Sequence, residues 1–183
     1  MRIHTLISGA GPTGLTLAID LARRGIPVRI VDKAVRHPTG SRGDTLQPRT
    51  LEVFDDLGII DRVLRAGAPQ PIVLVYRAGA PERELRMTDP IPPSSAVPYP
   101  NPWTLGQSDT EAILRARLAE FGVEVELATE TAGFAADDSG VTVTLAHAGT
   151  TETVRADYLI GAEGAPPPPR RPRGLELVGF TDP

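Results

Sequence analysis

The residues best suited to chemistry are three glycines and one carboxylate. Gly9-Ala-Gly11-Pro12-Thr13-Gly14 follows a short, mostly apolar run from Ile3 to Ser8 and precedes a segment with Leu15, Ala18, Ile19 and Ala22 at helical spacing. Each glycine has a task in such a turn: Gly9 permits the tight reversal, Gly11 lets backbone approach a diphosphate, and Gly14 lets the helix pack closely on the strand. The helix N-terminus would present free N–H groups and a partial positive charge to that diphosphate. Asp32, 21 residues after Gly11, closes a second strand from Val28 and is followed by Lys33. A carboxylate there suits the hydroxyls of an adenosine ribose and argues against a 2′-phosphate, hence against NADP at this position. The pattern leaves FAD and NAD both open, because each carries the same ADP half. The plain alternative is an ordinary strand-to-helix turn with a solvated Asp32.

The elements that must hold these residues are readable from periodicity and punctuation. Ile3 to Ser8, Thr13 to Arg24 and Val28 to Asp32 read as strand, helix and strand with short links, so a right-handed parallel crossover is expected. Pro48 to Leu57 and Ile59 to Ala66 read as short helices, the first opening on a proline at a first-turn position. Ile72 to Tyr76 and Glu82 to Met87 flank a Gly/Pro turn and predict a hairpin. Ser108-Asp-Thr-Glu111 has the form of a capping box, opening a helix that buries Ile113, Leu114, Leu118 and Phe121 and stops at Gly122. Val123, Val125 and Leu127 alternate as a strand. Asp137-Asp-Ser-Gly140 joins Thr131 to Ala136 with Val141 to Leu145, and two further strands are expected at Thr151 to Arg155 and Tyr158 to Ile160.

Composition narrows the function classes. The 183 residues are 40% hydrophobic and 23% charged, with a net charge of -4, which is ordinary globular composition without the broad cationic surface that binds nucleic acid. No apolar run reaches the length of a membrane span and no signal peptide is evident, so neither membrane nor nucleic acid is an expected partner and a cytoplasmic protein is expected. The absence of cysteine removes disulfides, thiolate catalysis and cysteine zinc sites. His4, His37 and His147 lack metal-ligand spacing, so no metal is expected. Asp55 with Asp56, and Asp137 with Asp138, read as helix-end and turn residues. The 18 glycines and 19 prolines are the unusual figure, and the prolines cluster: six lie between Pro90 and Pro102, five between Pro166 and Pro172.

The stretch Ser41-Arg42-Gly43-Asp44-Thr45-Leu46-Gln47-Pro48-Arg49-Thr50-Leu51-Glu52-Val53-Phe54-Asp55-Asp56-Leu57-Gly58-Ile59 decides between the dinucleotides. With Thr104-Leu-Gly-Gln107, Glu111, Leu114 and Asp157-Tyr-Leu-Ile-Gly161-Ala-Glu163-Gly164, the sequence resembles the group A flavoprotein aromatic hydroxylases. These are the p-hydroxybenzoate hydroxylase-like monooxygenases, and the likeness is greatest to the actinobacterial aromatic-polyketide hydroxylases. It implies an α/β architecture: a Rossmann-like, GR2-type FAD-binding fold with a parallel sheet, crossover helices and a β-meander, plus a small hairpin from the substrate side. It implies an FAD-binding domain over residues 1–165, with 68–104 a partial substrate-side insertion and 166–183 a Pro-rich tail. FAD is the implied cofactor, NAD(P)H the co-substrate, and a phenolic or polyketide ring the substrate. By the same motifs the resemblance implies that Arg42 would lie beside the diphosphate and ribityl chain and that Gln107 would also contact the cofactor, roles that suit a guanidinium fork and an amide. Arg49 and Glu52 read instead as a helix-surface pair. No residue stands out as catalytic.

The pattern breaks in two places. The resemblance implies that the family's second fingerprint, an Asp-Gly followed by Ala-Arg-Ser, touches FAD and nicotinamide, which makes Glu163 and Gly164 cofactor-binding candidates; here it reads Glu163-Gly164-Ala165 and then four prolines. Glutamate keeps the charge on an arm one methylene longer, while the prolines remove four donors and favour a stiff extended segment. Family members are also more than twice as long, so the missing C-terminal half, or a second chain, would have to complete the substrate wall. Two other readings stand beside this one: a non-catalytic nucleotide-binding or interaction protein, its proline tail meeting a partner, and a NAD-dependent dehydrogenase. The Arg42 to Ile59 series and the lack of a Tyr-x-x-x-Lys pair argue against the dehydrogenase.

Overall fold

The computed structural model describes residues 2–40, 43–87 and 89–164. Arg42 and the Pro-rich 166–183 segment, both singled out above, lie outside the described residues. The chain divides into two compact units, residues 1–38 with 114–183 and residues 39–113, and the boundary falls inside a helix.

In the first unit, β1 (Arg2–Ser8) leads through the glycine turn into α1 (Pro12–Arg23) and back to β2 (Val28–Val31), with β1 and β2 paired in parallel. Helix α1 buries Gly14, Leu15, Ala18 and Ile19 and packs against both strands. The apolar period read from the sequence is therefore the face that meets the sheet. Arg24 follows the helix, and Gly25, at φ +73°, takes the left-handed conformation that stops it.

The second unit opens with β3 (Thr45–Leu46), α2 (Pro48–Asp56), α3 (Ile60–Ala66) and β4 (Ala68–Pro69). The expected hairpin is β5 (Val73–Arg77) with β6 (Ala80–Leu85), antiparallel and separate from any other strand among the described residues. Strand β7 (Trp103–Thr104) lies between β3 and β4 in a three-stranded sheet. No periodic signal announced these two-residue pieces. Gly67 is tied to this sheet, because a Cβ there would stand 2.6 Å from the Trp103 indole nitrogen and 2.5 Å from the Thr104 carbonyl oxygen.

Helix α4 (Gln107–Ala119) starts one residue before the expected capping box. Thr110 N–H donates to the Gly106 carbonyl at 3.0 Å, and Glu111 is 2% exposed and accepts from the Gln107 side chain at 2.8 Å. Ser108 therefore sits inside the first turn and not before it, with Glu111 buried beside Gln107.

The first unit then closes its sheet with β8 (Val125–Glu126), β9 (Thr129–Asp137), β10 (Gly140–His147) and β11 (Thr150–Gly161), in the order β8-β2-β1-β11-β10-β9. The two strands expected at Thr151 to Arg155 and Tyr158 to Ile160 are one. Its first half pairs antiparallel with β10 and its second half parallel with β1, from Arg155 to Gly161. The meander and the parallel half thus share a single strand. Leu6, Val31, Val143, Leu145, Val154 and Ala156 form the cluster beneath it, each 3% exposed or less. Among the described residues no helix is long and apolar enough to cross a membrane.

Candidate functional site

The glycine turn lies where β1 hands over to α1. Gly9 has φ +106°, and a Cβ on it would meet the Ala162 carbonyl oxygen at 2.5 Å and the Glu163 nitrogen at 2.8 Å. Only glycine fits. A Cβ on Gly14 would stand 2.0 Å from the Gly9 carbonyl oxygen, so the first turn of α1 lies directly on the loop. Gly11 differs: its φ is -74° and a Cβ there would meet nothing within 4 Å. Among the described residues nothing demands glycine at this position, and the space in front of it is open.

Gly11 is also the N-cap of α1, with no side-chain cap, and Pro12 occupies the first turn. The first intrahelical bond runs from Leu15 N–H to the Gly11 carbonyl at 3.0 Å. The amides of Thr13 and Gly14 are therefore first-turn donors without a helical partner, and Thr13 is exposed. An uncapped helix end beside open space fits the donor set a diphosphate needs.

Asp32 faces this turn from the end of β2. One carboxylate oxygen accepts the Ala10 N–H at 2.8 Å and the other the Ala34 N–H at 2.9 Å. A carboxylate offers about four acceptor positions, and two of these fix the loop. Lys33, next to it, is exposed. The Gly9 N–H donates to the Val31 carbonyl at 2.8 Å, completing the connection between turn and second strand.

Glu163 and Gly164 follow the end of β11. The Ala162 N–H donates to the Ser8 carbonyl at 2.7 Å. The Ser8 hydroxyl donates to Glu163 Oε1 and lies 2.7 Å from the Thr131 hydroxyl. Glu163 Oε2 is buried with no hydrogen-bond partner among the described residues. Gly164 is exposed, with φ +77°. Ser8 and Thr131 are 1% and 3% exposed, and neither carried a sequence signal.

Gln107 belongs to the other unit, where its backbone N–H donates to the Gly43 carbonyl at 3.0 Å and its side-chain amide donates to Glu111. Among the described residues no cluster of three His, Asp or Glu side chains could hold a metal ion.

A parallel β-α-β unit with an uncapped glycine turn and a carboxylate at the second strand end defines a dinucleotide-binding protein. The family model described as an FAD binding domain matches residues 2–182, and the chain belongs to that family. It is 42% identical over 181 residues to a flavin-dependent monooxygenase of Mycobacteroides abscessus, covering 96% of this chain and 38% of that one. It is 39% identical over 176 residues to the 6-methylpretetramide 4-monooxygenase of Streptomyces rimosus, covering 96% of this chain and 31% of the relative. Its fold superposes with a TM-score of 0.84 on the crystal structure of the flavin-dependent monooxygenase PieE in complex with FAD and substrate, at 29% identity over 98% of this chain and 33% of that one. The chain thus spans about a third of the length of these relatives.

Proposed function

We propose that this chain is the FAD-binding portion of a flavoprotein monooxygenase that hydroxylates a phenolic or polyketide ring with NAD(P)H as reductant. Residues 1–165 would form the cofactor domain, 68–104 its partial substrate-side insertion, and 166–183 a Pro-rich tail. The observation that carries the reading is the open space before Gly11 at an uncapped helix N-terminus, with Asp32 poised at the second strand end. Gly9, Gly11, Pro12, Thr13 and Gly14 would seat the diphosphate, Asp32 and Lys33 the ribose region, and Glu163 and Gly164 the far side of the turn. Arg42 and Gln107 are assigned to the diphosphate-to-ribityl region on their motifs. The cytoplasm is the proposed location, consistent with a chain free of cysteine.

FAD supplies the redox chemistry when bound; the protein binds it, orients it and excludes water from it. A chain of one third the relatives' length brings only part of the wall that task requires. The isolated 183-residue chain is therefore expected to bind FAD without hydroxylating, and to need further polypeptide, in cis or from a second chain, for turnover. A flavin-binding titration coupled to an NADPH oxidation assay tests both parts. Binding of NAD with indifference to FAD overturns the cofactor assignment, and FAD-stimulated NADPH oxidation with product formation overturns the incompetence of the isolated chain.

A further inference from the structure

We infer that Glu163 is a positioning residue that holds the glycine turn through Ser8. The Glu163 side chain ends on the Ser8 hydroxyl. Ser8 is the last residue of β1 and directly precedes Gly9. Its backbone carbonyl accepts from Ala162 at 2.7 Å, and a Cβ on Gly9 would strike the Ala162 carbonyl and the Glu163 nitrogen. Backbone and side chain of one residue therefore fasten the start of the turn to the end of β11.

The direction of the hydrogen bonds follows from proton counting. Ser8 has one hydroxyl proton and gives it to Glu163, so its 2.7 Å contact with Thr131 must be donated by the Thr131 hydroxyl. The chain runs Thr131 to Ser8 to Glu163, ends on an acceptor, and is nearly sealed from solvent at its first two members. A bond from a buried hydroxyl to a carboxylate is among the stronger neutral-donor contacts, and losing one partner leaves the other unsatisfied in a low-dielectric setting. The clasp uses only one carboxylate oxygen, because Oε2 has no partner among the described residues. A glutamine in place of Glu163 can still offer an oxygen to Ser8, whereas an aspartate, one methylene shorter, is expected to reach it less well.

This rests on the FAD reading for its consequence, not for its geometry, and the test keeps the two apart. In the cofactor-free chain, backbone amide exchange at Ala10 and Gly11 is compared among wild type, S8A, E163A, E163D and E163Q. FAD affinity is then titrated for the same proteins and for the S8A/E163A double variant, with thermal unfolding as the check on folding. The clasp predicts faster exchange and about tenfold weaker FAD binding for S8A, E163A and E163D, near wild-type behaviour for E163Q, and a double variant no weaker than the worse single one. Unchanged amide exchange in both S8A and E163D overturns the inference. So do S8A and E163A effects on affinity that multiply, which would make Glu163 a direct ligand of the cofactor. Failure of the wild type to bind FAD overturns the functional reading alone, since the exchange measurement still decides the clasp.

Discussion

Asp32 holds Ala10: the carboxylate at the end of β2 accepts the backbone N–H in the middle of the glycine turn at 2.8 Å, while its second oxygen takes the Ala34 N–H at 2.9 Å. The residue proposed to meet the ribose thus also sets the shape of the loop proposed to meet the diphosphate. Asp32→Ala should leave two backbone donors without their acceptor, costing roughly 1–3 kcal/mol of stability together with FAD affinity. Asp32→Asn, which keeps one acceptor oxygen, should fall between. Chemical denaturation and flavin titration of the two variants measure this; an Asp32→Ala protein as stable as wild type would refute the loop-setting role.

Gly11 and Gly14 should respond oppositely to a side chain. At Gly11 a Cβ enters open space from an ordinary φ of -74°, so Gly11→Val should leave the thermal midpoint nearly unchanged. It should weaken FAD binding by about 100-fold or more, some 2.7 kcal/mol, by filling the path of the diphosphate.

At Gly14 the obstacle is backbone, the Gly9 carbonyl oxygen 2.0 Å from a Cβ. Gly14→Ala should force α1 away from the turn and destabilise the protein by about 1–3 kcal/mol, as overpacking does, whether or not FAD is present. Thermal unfolding of the cofactor-free protein distinguishes the two glycines, and equal loss of stability in both variants would contradict the assigned geometry.

On the same sheet, Arg29 of β2 reaches Glu126 at 2.5 Å and Glu152 at 2.8 Å. Hydrogen bonds from this guanidinium hold the Glu152 carboxyl below its ordinary value, and the bonds it donates to Glu126 and then to Glu152 raise Arg29 further. A carboxyl depressed in the folded state stabilises above its unfolded pKa and loses that contribution as pH falls through the folded value. Glu152 is 58% exposed, so solvent screening limits the effect to under about 1 kcal/mol. Glu152→Gln should therefore lower stability slightly at pH 7 and match wild type in strong acid, as pH-dependent denaturation would show. A gap between the two that widens on acidification would contradict this sign.

What the chain order determines is local. Three glycines, a following amphipathic helix and a carboxylate one strand later specify the turn, because the strand, the reversal and the helix lie within neighbouring residues and each is encoded by its own spacing. The two short helices and the hairpin were legible for the same reason. What the tertiary structure decided depends on residues far apart in sequence. Ser8 and Glu163 meet across 155 positions, and no period in either segment marks the pair. Tyr158 to Ile160 and Thr151 to Arg155 became one strand because β10 and β1 offer hydrogen-bonding edges to its two halves, which propensity within β11 cannot reveal. Helix α4 starts at Gln107 and not at Ser108, and Glu111 is buried against Gln107, a packing relation that the local capping pattern does not carry. Glycine at position 11 stands in the sequence; that none of the described residues requires it there is a property of the tertiary structure, because it depends on what surrounds the turn in space.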